Sequence, residues 1–115
     1  MSPQHSDLLD VEVIDGVPVA RFLRPNLDAS NADAVREQLS RLAESTKAPL
    51  RLDLGRVTFL GSTALAMLVA LNERLRAAGG RLTLEQVDPA NFRVLRATGL
   101  TQVLDVRKKQ VASGV

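Results

Sequence analysis

The chain alternates short β-rich segments with amphipathic segments of helical periodicity, and only brief turn-forming stretches separate them. Apolar residues within 50–54 alternate with period two, whereas Leu65, Leu68 and Leu75 repeat with the spacing of one helix face. Strands that are joined through a helix by short links pair in parallel with a right-handed crossover. The order of segments therefore predicts an α/β fold, with helices packed mainly on one face of a mixed sheet of four or five strands.

A tight turn near the start of the chain predicts an antiparallel pair of strands. Asp15 and Gly16 readily adopt the positive φ angles of a hairpin, so residues 9–14 and 17–23 are expected to pair with each other. The remaining strands are expected over residues 50–60, 81–87 and 103–106.

Helix starts are marked by proline and by capping residues. Residues 24–26 interrupt the second strand, and Ser30 followed by Asp33 resembles a capping box. Asp88 and Pro89 form a typical helix start. The apolar face of the first helix is expected to comprise Leu27, Val35, Leu39 and Leu42. The helices are expected to begin near Ser30, Ser62 and Pro89 and to end before Gly79 and Gly99.

One hydrophobic core is expected, because 115 residues are the length of one ordinary domain. We predict a domain over residues 9–107, with a flexible N-terminal segment 1–8 and a flexible tail 108–115. The core is predicted to include residues at alternating strand positions or on helix faces: Val19, Leu39, Leu52, Leu54, Leu65, Leu68, Leu71, Leu84 and Leu95.

The composition excludes several classes of function. The chain has no cysteine and a single histidine, His5, so thiolate catalysis, Cys-based zinc sites and His-dependent triads are not expected. No pairing of nucleophile with base and no phosphate-cradling glycine loop is recognisable. We therefore predict that the protein is not an enzyme and uses neither a metal nor a cofactor.

Nucleic acid and membrane are not expected as direct partners. Aromatic residues make up 3% of the chain, without Trp or Tyr, so the stacking surfaces of single-strand binders are missing. The basic residues 107–109 are predicted to be a solvated tail. No apolar run reaches the length of a membrane span, and the first residues do not resemble a secretion signal. We expect a cytoplasmic protein without direct membrane insertion.

The segment VTFLGSTALAML, residues 57–68, contains two hydroxyl residues between two apolar runs. Ser62 and Thr63 stand where a predicted strand gives way to a predicted helix. A hydroxyl at this place either caps the helix or accepts a phosphate, because a helix N-terminus favours negative charge. The residues alone leave both alternatives open.

The order of these segments resembles the STAS domain, and most closely the stand-alone bacterial anti-sigma-factor antagonists. The family carries an L-D-L-like pattern in the strand before its motif, and Leu52-Asp53-Leu54 matches it. The family turn D-S-[ST]-G-L corresponds to Gly61-Ser62-Thr63-Ala64-Leu65, and a T-G-L helix end corresponds to Thr98-Gly99-Leu100.

The resemblance implies a partner switch controlled by phosphorylation. An anti-sigma factor that is also a serine kinase of the histidine-kinase-like ATPase type would phosphorylate Ser62, with Thr63 as the second candidate. The partner-binding residues implied are Asp28, Gly61, Ser62, Thr63 and Ala64, together with the exposed side of the following helix. Gly61 and Ala64 replace the usual Asp and Gly of the family. Helix capping by Asp28 is the alternative to its role in binding.

A second function remains open from the resemblance. A STAS-like accessory subunit that supports a lipid-transport ATPase, without being phosphorylated, also has an alanine- and leucine-rich helix start, as in residues 64–66. The sequence predicts neither the oligomeric state nor the identity of the anti-sigma factor.

Overall fold

Seven strands and three α-helices make up residues 7–46 and 49–109, the part of the chain that the computed structural model describes. The strands are β1 (Leu9–Ile14), β2 (Val17–Phe22), β3 (Asn26–Leu27), β4 (Leu50–Asp53), β5 (Phe59–Leu60), β6 (Leu82–Val87) and β7 (Asp105–Lys108). The helices are α1 (Ala32–Thr46), α2 (Ser62–Ala77) and α3 (Pro89–Ala97), and a 3-10 helix follows α3 over Leu100–Gln102.

Five strands form one mixed sheet in the order β1-β2-β4-β6-β7. The β1–β2 pair is antiparallel, and every other neighbouring pair in this sheet is parallel. The hairpin turn has φ angles of 52° at Asp15 and 78° at Gly16, as its sequence predicts. The predicted mixed sheet is confirmed.

The two faces of the sheet differ in chemistry. Helices α1 and α2 pack against each other, α1 also contacts β2 and α2 also contacts β6. Along β4, the fully buried Leu50 and Leu52 alternate with Arg51 and Asp53 on the opposite face. Two ion pairs cross the strands on that opposite face: Arg21–Asp53 at 3.4 Å and Arg51–Glu85 at 2.8 Å.

The core is close to the prediction. Eight of the nine predicted core residues are buried: Val19, Leu39, Leu52, Leu54, Leu68, Leu71, Leu84 and Leu95. Leu65 is the exception, because it is only partly buried at the margin of the core. Ala64, Leu68 and Leu71 define the buried line of α2, and Leu65 lies one residue, or about 100° around the helix, from Ala64.

The start of α1 differs from the prediction. The helix begins at Ala32, two residues after Ser30. The capping box with Asp33 is wrong, because the Ser30 hydroxyl donates to Asp28 Oδ1 at 2.6 Å. Asn31 precedes the helix instead, and its Oδ1 accepts the Asp28 N–H at 3.0 Å.

A small second sheet replaces the single strand expected over residues 50–60. The chain leaves the main sheet after Asp53, and β5 then pairs in parallel with β3. Leu27, expected on the face of α1, belongs to β3 and is fully buried. The pairing joins segments more than 30 residues apart, so local periodicity does not reveal it.

The predicted boundary at residue 107 falls within strand β7. Strand β7 ends at Lys108, and the Lys109 N–H donates to Val87 O at 2.7 Å. Residues 107 and 108 therefore belong to an edge strand rather than a tail. At the other end, Leu8 packs against the core. His5 and residues 110–115 lie outside the described residues.

Asp105 is the first residue of β7, and its carboxylate allows the stability of this edge strand to be tested. Burial alone would raise its pKa, but hydrogen bonds from Thr83 and Arg81 and the nearby Arg107 together hold the pKa below its usual value. A carboxyl group with a lowered folded pKa stabilises the fold above its unfolded pKa and loses that contribution as pH falls. Asp105→Asn is expected to cost about 1 kcal/mol at pH 7 and less below about pH 4. Urea unfolding of wild type and Asp105→Asn at pH 7 and below about pH 4 measures this cost. An equal cost under the two conditions would contradict the prediction.

Candidate functional site

The Ser62 turn lies at the carboxyl end of the parallel strands β2 and β4. The chain continues from β2 into β3 and from β4 towards β5, and the pairing of these two short strands brings residue 28 beside residue 61. Gly61 directly follows β5, and its N–H donates to Leu27 O of β3 at 2.8 Å. Backbone pairing and a backbone hydrogen bond therefore hold the Ser62 turn in this position.

The loop between β4 and β5 is held from both ends. Asp53 Oδ1 accepts the Gly55 N–H at 2.8 Å. Pro25 O accepts the N–H groups of Thr58 and Phe59 at 2.8 and 3.1 Å. These bonds account for the fixed path of the chain into α2.

Ser62 is the first residue of α2, and its side chain is exposed. Gly61 is the N-cap, with extended backbone angles and no side-chain cap hydrogen bond. The interpretation of Ser62 as the helix cap is therefore wrong. Its hydroxyl lies at the positive end of the helix dipole, where a phosphate is electrostatically favoured.

Asp28 adds a negative charge beside the turn. Hydrogen bonds from the side chain and then the backbone N–H of Ser30 lower the pKa of Asp28, so its carboxylate is ionised at neutral pH. The carboxylate holds the turn before α1 and does not cap the helix itself, since α1 begins at Ala32.

Gly61 and Asp28 are in close contact. A Cβ added to Gly61 would lie 3.1 Å from Asp28 Cβ and 3.3 Å from its Cα. Both distances are shorter than ordinary van der Waals contact, so a larger residue at position 61 requires Asp28 to move by a few tenths of an ångström. The glycine that replaces the family's aspartate thus allows Asp28 to approach the turn.

The other predicted site residues divide into exposed and buried ones. Thr63 is exposed next to Ser62, whereas Ala64 has no exposed surface and packs in the core. The prediction that Ala64 contacts a partner is corrected, because the first turn of α2 directs its side chain into the domain. Ala64 shapes the surface only by holding α2 in place.

Phe59 lies beside the candidate site, and the sequence analysis did not single it out. It is 53% exposed, and Cε2 of its ring lies 3.5 Å from the position of an added Gly61 Cβ. Its neighbour Leu60 is buried, so β-strand alternation turns Phe59 outwards. Alternation alone predicts that one residue of the pair Phe59-Leu60 faces outwards, but it does not say which one.

The described residues contain neither a candidate metal-binding group nor a candidate membrane-spanning helix. Within residues 7–46 and 49–109, no group of three His, Cys, Asp or Glu side chains could hold a metal ion. No helix in that same part of the chain combines the length and the apolar character that a membrane crossing requires.

The fold and this turn agree with a known family. A family model described as the STAS domain matches residues 9–112. The chain belongs to the STAS family. The resemblance inferred from the motifs is thereby confirmed.

Relatives of this STAS domain carry regulatory names. An anti-sigma-B factor antagonist of Bacillus subtilis (strain 168) is 34% identical over 83 residues, which cover 72% of this chain and 75% of the relative. The crystal structure of an anti-sigma factor antagonist from Mycobacterium paratuberculosis has a TM-score of 0.73 at 32% identity, covering 86% of this chain and 83% of that one. Phosphorylated SpoIIAA from Bacillus shares the fold, with a TM-score of 0.63 at 20% identity over 85% of this chain and 89% of that one.

Proposed function

We propose that the protein is an anti-sigma factor antagonist that is switched by phosphorylation of Ser62. In its unmodified form it binds an anti-sigma factor, which then releases its sigma factor. The observation that carries the proposal is the exposed Ser62 hydroxyl on a rigid turn of a STAS domain. The names of the relatives support the choice of partner.

The phosphate would come from the partner. An anti-sigma factor of the histidine-kinase-like ATPase type holds ATP, and the Ser62 oxygen attacks its γ-phosphorus. The bond to the β–γ bridging oxygen breaks, ADP leaves, and a base of the kinase takes the hydroxyl proton. The antagonist supplies the hydroxyl and the helix N-terminus, and it needs no catalytic residue of its own.

Phosphorylation would end the binding through charge. A phosphoserine carries about 1.5 to 2 negative charges, which disrupt an interface when they lie beside a carboxylate or an apolar contact. Both kinds of group lie near the residue before Ser62, since Asp28 and the Phe59 ring approach Gly61. Each tenfold loss of affinity needs only about 1.4 kcal/mol.

The alternative, an accessory subunit of a lipid-transport ATPase, receives less support. Two relatives with more than 30% identity are named as antagonists. The exposed Ser62 hydroxyl in the first turn of α2 is also what the proposed phosphorylation requires.

Labelling with radioactive ATP by the cognate kinase tests the phosphoacceptor. Wild type and Thr63→Ala are expected to accept close to one phosphate per chain, whereas Ser62→Ala is expected to accept less than about a twentieth of it, since Ser62 is the proposed acceptor and transfer requires one positioned oxygen. Both substitutions remove one exposed hydroxyl from the first turn of α2, so each is the control for the other. Labelling that persists in Ser62→Ala and is lost in Thr63→Ala would move the site by one residue.

The same assay tests the role of Gly61. If a kinase that is active on another antagonist leaves wild type unlabelled, Ser62 phosphorylation is contradicted for the natural sequence. Gly61→Asp then shows whether the missing carboxylate is the cause, because it should restore transfer. The close contact with Asp28 predicts a small structural adjustment in that variant.

A further inference from the structure

The three phenylalanines of the chain have different surroundings. Phe22 is fully buried, and the partly buried Phe92 ring lies 4.8 Å from the Lys108 ammonium. Phe59 is 53% exposed on the surface that carries Ser62. It is thus the aromatic side chain that offers the largest uncovered fraction to a partner.

The exposure of Phe59 follows from the backbone rather than from one side-chain rotamer. Its N–H donates to Pro25 O at 3.1 Å, and β5 is paired with β3 through Asn26 and Leu27. Leu60 is 93% buried in the core, so the alternation of a strand leaves Phe59 no inward position. The ring is therefore held outside the core before any partner binds.

The ring is continuous with the proposed switch. Its Cε2 atom lies 3.5 Å from the position of an added Gly61 Cβ, and Asp28 approaches the same position from another direction. Ser62 follows in the next residue. An apolar ring, an ionised carboxylate and an exposed hydroxyl therefore share one surface, formed by residues 28, 59 and 62 around the buried Gly61, which we call the switch surface. The prediction that Gly61 itself contacts a partner is corrected, because the residue is buried.

We propose that Phe59 is the apolar anchor of the switch surface and inserts into an apolar pocket of the anti-sigma factor. This inference rests on the proposed function and adds an apolar residue to the surface that contacts the partner. Aromatic side chains dominate the binding energy of protein interfaces when a partner covers them fully. A phosphate on Ser62 would then be placed at the edge of an apolar contact, where its desolvation is most costly.

The test is calorimetric titration of unphosphorylated variants into the purified anti-sigma factors of the histidine-kinase-like ATPase class from the source organism. Phe59→Ala is expected to lower the affinity at least about 30-fold. Val13→Ala is the matched control, because Val13 is 59% exposed next to the hairpin tip, at the opposite end of the sheet. It is expected to change the affinity by less than about threefold.

The outcomes separate this inference from the proposed function. If wild type binds and Phe59→Ala binds within threefold of it, the anchor is overturned while the antagonist function stands. If wild type binds none of these anti-sigma factors, the proposed function is overturned and the anchor with it. A wild-type dimer that Phe59→Ala abolishes, with unchanged anti-sigma affinity, would assign the ring to self-association and also overturn the anchor.

Thermal melts show whether Phe59→Ala is folded. If it melts more than about 5 °C below wild type, Phe59→Leu replaces it, since leucine keeps an apolar side chain in β5 but lacks the ring. This variant is expected to bind at least about fivefold more weakly than wild type. Binding within twofold would overturn the anchor.

Discussion

Ser62→Asp is expected to lower the affinity for the cognate anti-sigma factor at least about 100-fold, whereas Ser62→Ala should bind within about threefold of wild type. The new carboxylate would be desolvated beside Asp28 and the Phe59 ring, while the alanine variant loses only an exposed hydroxyl. Titration calorimetry against the purified anti-sigma factor measures both affinities.

Both variants are expected to remain as stable as wild type. Ser62→Ala removes no cap, because Gly61 is the N-cap of α2 and Ser62 contributes no side-chain cap bond there. Ser62→Asp places a negative charge at a helix N-terminus, which is neutral or favourable for the fold. Thermal melts are the control for this, and equal affinities of two folded variants would show that Ser62 does not control binding.

Leu68→Ala is expected to lower the free energy of unfolding by about 2 to 5 kcal/mol. Leu68 is fully buried on the line of α2 that packs into the core, and its truncation leaves a cavity. Chemical denaturation with urea at neutral pH gives the difference in free energy directly.

Leu65→Ala is the matched control for Leu68→Ala, because it makes the same change three residues earlier in the same helix. Leu65 is only partly buried, so its truncation is expected to cost about 1 kcal/mol. If the two variants lost the same free energy of unfolding, the observed difference in burial between Leu65 and Leu68 would be contradicted.

The sequence predicted the main sheet and most of the core because their signals are local. Period-two alternation in β4 and the Asp15-Gly16 turn depend on neighbouring residues, and both were confirmed. Asp88 caps α3 as predicted, with its Oδ1 accepting the Asn91 N–H at 2.8 Å. Helix and strand periodicity also placed Leu68, with seven further residues, correctly in the interior.

The sequence also located the turn that contains the candidate phosphoacceptor, but it did not determine what surrounds that turn. The pairing of β3 with β5 joins residues 26 and 59, and no local pattern encodes a contact of that separation. This pairing makes Gly61, rather than Ser62, the N-cap and brings Asp28 against Gly61. It also decides which of Phe59 and Leu60 faces outwards.

The sequence by itself therefore determined the α/β class, the hairpin, the helix start at Asp88 and the position of Ser62 between a strand and a helix. Only the tertiary structure decided that Ala64 is buried and that Phe59 is exposed beside Ser62. The physical reason is that periodicity reports the face of one element, whereas a surface built from two loops depends on how distant segments pair.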